Sequence, residues 1–133
     1  MDNIEKYNYW LDIAQYDLKA AESMLKSGHW LYVVFMCQQA IEKLVKGLYS
    51  YYKPDIPPFM HNIKTIAARF ESNLPSAIPE NTMEFFDELT AYYINNRYPD
   101  YVSKLSTQID ETEAADIMAK SKEVFAWLLT LKP

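Results

Sequence analysis

Apolar residues in this chain recur at alternating spacings of three and four, and not at every second position. The first stripe comprises Ile4, Tyr7, Leu11, Ala14, Leu18, Ala21 and Leu25. Such spacing is typical of an amphipathic helix packed in a bundle. It predicts a helix from about Asn3 to Lys26, with Asp2 as its N-cap and Ser27-Gly28 at its end.

The second segment, from about Trp30 to Tyr52, is apolar on two sides. One stripe comprises Trp30, Val33, Cys37, Ile41, Leu44 and Leu48, and the opposite side carries Leu31, Tyr32, Phe35 and Tyr49. A helix that is apolar on both sides is usually covered on both sides. We therefore expect this helix to be central in the fold or to form the core of a subunit interface.

Three further segments complete a prediction of five helices and no strand. The third helix is short, from about Asn62 to Glu71 with Asn62 as its cap. The fourth runs from about Pro79 or Asn81 to Asn96, and the fifth follows an Asp110 cap. Together they predict an all-α fold: an up-down antiparallel bundle of four long helices plus one short helix, as a single domain over residues 1–133.

Composition excludes several classes of protein. The net charge of −5 argues against a broadly basic nucleic-acid surface, and two glycines are too few for a Rossmann or P-loop site. No apolar run approaches the roughly 20 residues of a membrane span. The single cysteine, Cys37, lies on an apolar stripe, which favours core packing and a reduced, cytoplasmic location.

The pattern of potential ligands predicts no metal and no tightly held cofactor. His29 and His61 are far apart in the sequence, and no second cysteine, His-x-x-x-His or Glu-x-x-His occurs. A helical di-metal site would need Glu-x-x-His on two helices.

Gln39, Glu42 and Lys46 align along the second helix. One interpretation is a solvated face with a helical ion pair, because Lys46 follows Glu42 by four residues. The aromatic residues on the same side favour the other interpretation, a polar cluster at the rim of an interface or ligand pocket.

His61 also has two interpretations. At the start of the third helix it can help to satisfy the free backbone amides. It can equally be an acid-base or anion-binding group.

Arg97 completes the set of candidate site residues. On a helix that continues to Asn96, Phe86, Tyr93 and Arg97 share the apolar face, where a guanidinium needs an anionic partner. That partner is either a carboxylate, Asp100 or Glu42, or the phosphate of a ligand. In the second case, Tyr98 and Tyr101 would stack a base beside it.

These segments resemble the HEPN family of small helical domains over nearly the whole chain. The resemblance rests on two motifs in this order, Gln38-Gln39-Ala40-Ile41-Glu42-Lys43 and Arg97-Tyr98-Pro99-Asp100. It implies a homodimer, to which we expect the second helix and the end of the fourth to contribute. It also implies frequent pairing with a minimal nucleotidyltransferase in toxin-antitoxin systems. Active members are metal-independent endoribonucleases with an Arg-x(4-6)-His motif, and others are thought to bind nucleotides or RNA without cutting.

The chain departs from the catalytic motif of that family. Arg97 matches its arginine, but Val102, Ser103 and Lys104 stand where the histidine is expected. Without an imidazole at that place, general acid-base catalysis loses its natural group. The sequence therefore favours binding of nucleotide or RNA by Arg97, Tyr98, Asp100, Tyr101, Lys46, Glu42 and Gln39. The alternatives are an endoribonuclease toxin, with Arg97 and His61 as catalytic candidates, and a non-catalytic protein-interaction module.

Overall fold

A computed structural model of the chain describes residues 1–93 and 108–133. Within these residues it contains α-helices, one short 3-10 helix (Glu71–Asn73) and no strand. The helices are α1 (Asn3–Ser27), α2 (Trp30–Tyr52), α3 (Ile63–Ala68), α4 (Glu80–Thr90) and α5 (Glu111–Leu129). The predicted all-α fold, with four long helices and one short one, is confirmed.

The α1–α2 hairpin has the ends that the sequence predicts. The Asp2 side chain accepts a hydrogen bond of 2.8 Å from the backbone N–H of Glu5. Gly28 ends α1 in the left-handed conformation, with φ of 81°, and its N–H donates to the Leu25 carbonyl. Only glycine adopts this conformation without a steric cost, so the two helices can reverse direction over two residues.

Helix α2 is the centre of the fold, because it packs against α1, α3, α4 and α5. Its fully buried apolar side chains are Val33, Val34, Cys37, Ala40, Ile41, Leu44, Val45 and Leu48. Helix α1 approaches closely at Gly47, where an added Cβ would lie 3.0 Å from the Cβ of Trp10. The sequence predicted that this helix is either central in the fold or part of a subunit interface. Within one chain, the helix is central in the fold.

Helix α4 is shorter than predicted. It ends at Thr90, and not at Asn96, because the next aromatic residues make tertiary contacts instead of continuing the helix. The Tyr92 hydroxyl donates to Glu113 Oε1 at 2.6 Å, and the Tyr93 ring stacks on His61. Tyr93 therefore does not share a helical face with Phe86, and that part of the prediction was wrong. Arg97 itself lies outside the described residues.

Helix starts were predicted well, with one exception. Asn62 accepts from Thr65 N–H and Asp110 from Glu113 N–H, as expected of N-caps. Of the two predicted starts of the fourth helix, Pro79 is confirmed as the N-cap and Asn81 is wrong, because α4 begins at Glu80. Within residues 1–93 and 108–133, every helix is too short or too polar to cross a bilayer.

Candidate functional site

The carboxylate of Glu42 is fully buried and is surrounded by polar side chains. Its Oε1 accepts a hydrogen bond of 2.8 Å from Gln38 Nε2 and lies 3.0 Å from His61 Nδ1. Its Oε2 lies 3.2 Å from Lys46 Nζ and 3.5 Å from Lys43 Nζ. We call these five residues the Glu42 cluster.

Helical spacing explains most of the Glu42 cluster. Gln38, Glu42 and Lys46 follow one another by four residues and so lie on one face of α2. This face is covered, since Glu42 is 0% and Lys46 only 7% exposed. The interpretation of Glu42 and Lys46 as part of a solvated face was therefore wrong. His61 reaches the cluster from the segment that connects α2 to α3.

Two ammonium groups and an imidazole surround a single carboxylate. Burial alone raises the pKa of Glu42, but Lys46, Lys43, the Gln38 hydrogen bond and His61 together outweigh it and hold the pKa below its ordinary value. Glu42 is therefore ionised at neutral pH. With both lysines charged, the five residues carry one net positive charge when His61 is neutral. A second carboxyl, Asp17, stands near Lys43: burial raises the pKa of Asp17, and Lys43 opposes that rise.

His61 is the part of the cluster that is most open to solvent, with 44% of its side chain exposed. Its ring stacks on Tyr93, with ring centres 3.9 Å apart and planes 15° from parallel. Tyr93 in turn packs against Phe35, with ring centres 6.3 Å apart. The start of α3 is capped by Asn62, so the interpretation of His61 as the group that satisfies those amides was wrong.

The structure brings together four of the residues that the sequence nominated. Glu42, Lys46 and His61 are in direct contact, and Gln39 joins through Gln38, to which its Nε2 donates at 2.6 Å. The remaining nominated residues lie outside the described part of the chain: Arg97, Tyr98, Asp100 and Tyr101.

Sequence reasoning missed Gln38, Lys43 and Tyr93 as members of this site. Gln38 could have been found from its spacing of four residues to Glu42. Lys43 bridges Gln39 Oε1, at 3.2 Å, and the Glu42 carboxylate. The contact of Tyr93 with His61 joins residues 32 positions apart, and no local pattern predicts it.

Cys37 belongs to the core and not to this site. It is fully buried, and its Sγ lies 3.7 Å from Sδ of Met118. Burial raises the pKa of the thiol to about 11, so it stays protonated and unreactive at neutral pH. Among the described residues, no three His, Cys, Asp or Glu side chains are grouped closely enough to hold a metal ion.

Comparisons with known proteins agree on the fold. TT1696 from Thermus thermophilus superposes with a TM-score of 0.79 at 25% identity, over 94% of this chain and 97% of that one. ST0689, an archaeal HEPN homologue, superposes with a TM-score of 0.71 at 23% identity, over 93% and 95% of the two chains. Comparison with curated proteins gave no match.

The family model described as the HEPN domain matches residues 7–131, which is nearly the whole sequence. The match includes α2 with the Glu42 cluster and the segment that carries Arg97. The chain therefore belongs to the HEPN domain family.

Proposed function

We propose that this HEPN domain binds a phosphate-bearing ligand, a nucleotide or RNA, at the surface of the Glu42 cluster where His61 is exposed. The observation that carries the proposal is the excess of positive charge around one buried carboxylate. Charged donors held in a partly desolvated place attract an anion more strongly than the same groups in water. Phosphate oxygens can accept charge-assisted hydrogen bonds from several convergent N–H donors at once.

The stacked rings of His61 and Tyr93 supply the second part of a nucleotide site. Tyr93 covers one face of the His61 ring, and the half-exposed imidazole would offer its other face to a base next to the charged groups. Bases stack on such surfaces in proteins that bind single-stranded nucleic acids, with little dependence on sequence. Lys43 belongs to the same cluster on α2, and its side chain is 20% exposed, so it would be able to contact the phosphate.

Arg97 remains a predicted phosphate ligand of this site, with Tyr98, Asp100 and Tyr101 beside it. Its support is the sequence motif, since it matches the arginine of the HEPN ribonuclease pattern. Its guanidinium would add a bidentate donor pair to the point charges of the lysines.

Titration of the pure protein with a panel of nucleotides and short RNAs tests the proposal. We expect His61→Ala and Arg97→Ala each to weaken binding about tenfold or more. His29→Ala is the matched control, because His29 is exposed and its side chain hydrogen-bonds only Ser27 among the described residues. Unchanged affinity in both site variants would reject the site.

A second candidate function is metal-independent RNA cleavage, which the contact between Glu42 and His61 favours. A carboxylate on Nδ1 fixes the imidazole and leaves Nε2 to exchange a proton with a ribose hydroxyl. Incubation with RNA in the presence of a chelator tests this candidate. Cleavage that His61→Asn abolishes and His29→Asn retains supports it, and intact RNA together with normal growth on expression rejects it.

We also propose that the chain acts in the cytoplasm as a homodimer, paired with a minimal nucleotidyltransferase in a toxin-antitoxin-type system. The support for this is the family membership and four exposed aromatic residues, Tyr9, Tyr16, Tyr32 and Phe59. Light scattering should give twice the mass of 15.6 kDa. A monomer at micromolar concentration would contradict the homodimer. Failure to co-purify with a nucleotidyltransferase would contradict the pairing.

A further inference from the structure

A second concave surface lies outside the Glu42 cluster. It is a pocket of about 290 Å³ between the first half of α1, the second half of α2 and the segment that follows α2. Its apolar lining includes Tyr9, Trp10, Ile56, Pro57, Pro58 and Phe59. The volume is at the small end of the range for small-molecule sites, which are typically apolar with a few polar groups.

The lining of this pocket is unusually exposed for apolar side chains. Phe59 is 95% and Ile56 68% exposed, and Tyr9 is 54% exposed. Tyr9 and Trp10 meet edge to face, with ring centres 5.6 Å apart. A single exposed apolar residue is ordinary, but several around one cavity mark a binding surface. Rings and prolines offer flat faces, which suit a flat apolar ligand.

Charges at the pocket are unequal. Lys6 and Lys46 contribute two ammonium groups, and Asp55 contributes one carboxylate. The Tyr49 hydroxyl donates a hydrogen bond of 2.6 Å to Asp55 Oδ2, which leaves the charge of Asp55 in place. Lys46 is paired with Glu42, so Lys6 is the lining lysine that has no salt bridge within the described residues. The pocket therefore favours a ligand with a negative head group.

Lys46 is the buried one of the two lysines that line the pocket. Its side chain is only 8% exposed, and its Nζ lies 5.9 Å from the centre of the Trp10 ring. Among the described residues, Nζ donates one hydrogen bond, to Glu42, out of the three that an ammonium can make. A buried ammonium at the inner wall of an apolar pocket gives a small anion a fixed partner.

We propose that this pocket binds a small organic anion with a flat apolar body, of the aromatic monocarboxylate class. The ring would lie against Trp10 and Phe59, and the carboxylate would face Lys46 and Lys6. A phosphate-rich ligand fits this pocket poorly, because the apolar lining cannot replace the water around several charges. The site is thus different in chemistry from the nucleotide site proposed above.

Naphthalene-2-carboxylate, its neutral carboxamide and 2-naphthylmethylammonium are suitable probes, measured by calorimetry on the intact protein. We expect the carboxylate to bind about tenfold more tightly than the carboxamide, and the cation to bind most weakly. Equal affinity for all three, preference for the cation, or no binding at millimolar concentration would overturn the proposal.

Two pairs of variants locate the site. Lys6→Gln should remove most of the preference for the carboxylate, and Lys19→Gln, an exposed lysine of the same helix away from the pocket, should keep it. Phe59→Ala should weaken the carboxylate and the carboxamide alike by about fivefold, whereas Tyr16→Ala, at another exposed aromatic residue, should change neither. His61→Ala should retain naphthoate binding, because His61 does not line the pocket. Equal effects within a pair, or loss of binding in His61→Ala, would overturn the assignment.

Discussion

At the scale of single residues, Glu42 is the side chain on which the candidate site depends. A fully buried carboxylate is costly unless it is paired and hydrogen-bonded. Here both oxygens have two partners, which compensates the lost hydration. Lys46 is buried as well and needs the carboxylate as its counter-charge, so the residues of the Glu42 cluster stabilise one another.

Replacement of Glu42 by glutamine should therefore destabilise the fold. The neutral amide would leave Lys46 buried without a counter-charge, and we expect a loss of about 2–4 kcal/mol in the free energy of unfolding at neutral pH. Denaturant titration followed by circular dichroism measures it. The control is Glu22→Gln, because the exposed Glu22–Lys122 pair should contribute less than about 1 kcal/mol.

The same variant makes a prediction about pH. Because the folded protein holds the pKa of Glu42 below its ordinary value of 4.5, ionised Glu42 stabilises the fold above that pH. The stabilisation is lost as the pH falls from about 4.5 through the folded pKa. The difference in stability between the wild type and Glu42→Gln should narrow in that window. A difference that stays constant into strong acid would show that the charge is not what matters.

At the scale of helices, local sequence patterns predicted most boundaries but not the end of α4. The bounds of α2 and the caps at Asp2, Asn62 and Asp110 follow from apolar spacing and side-chain oxygens, which act within a few residues. The residues after Thr90 leave the helix for contacts with α5 and His61, which are remote in sequence. For the same reason, the sequence of α2 was enough to predict Glu42 and Lys46 as site residues. The contacts of His61 and Tyr93 with this site depend on the tertiary fold and could not be predicted locally.

Tyr92 should hold the end of α4 to the start of α5. Burial and the Glu113 carboxylate raise the pKa of Tyr92, so the hydroxyl remains a donor to Glu113. Tyr92→Phe should cost about 1.5–3 kcal/mol of unfolding free energy, as expected for a hydrogen bond to a charged group. Tyr16→Phe, at a residue 76% exposed, should be neutral in the same denaturation experiment. Equal effects of the two substitutions would contradict the anchoring role.

At the scale of the whole molecule, an acidic chain gathers two lysines and a histidine around one carboxylate. The net charge of −5 disfavours contact with long stretches of nucleic acid, so binding should involve few phosphates. The sequence established this overall balance correctly, but it carried no information on where the charges meet in space. That arrangement follows from the packing of α2 against its neighbours.

Salt dependence of RNA affinity measures how many phosphates are contacted. If Lys43, Arg97 and His61 contact about three phosphates of a short single strand, the logarithm of the binding constant should fall with a slope of about −2 against the logarithm of the salt concentration. Affinity measured over a series of salt concentrations gives the slope. A value several times steeper would indicate a wide basic surface, and a slope near zero would indicate binding without phosphate contacts.

Lys46 stands between the Glu42 cluster and the apolar pocket, since its ammonium touches Glu42 and lies over Trp10. An anion in the pocket would compete with Glu42 for this ammonium and leave the carboxylate to hold His61 more strongly. Because the two sites share this group, ligand binding at one site would change the affinity of the other. The coupling must be reciprocal. If a bound nucleotide changes the affinity for the small anion by some factor, the bound anion changes the affinity for the nucleotide by the same factor.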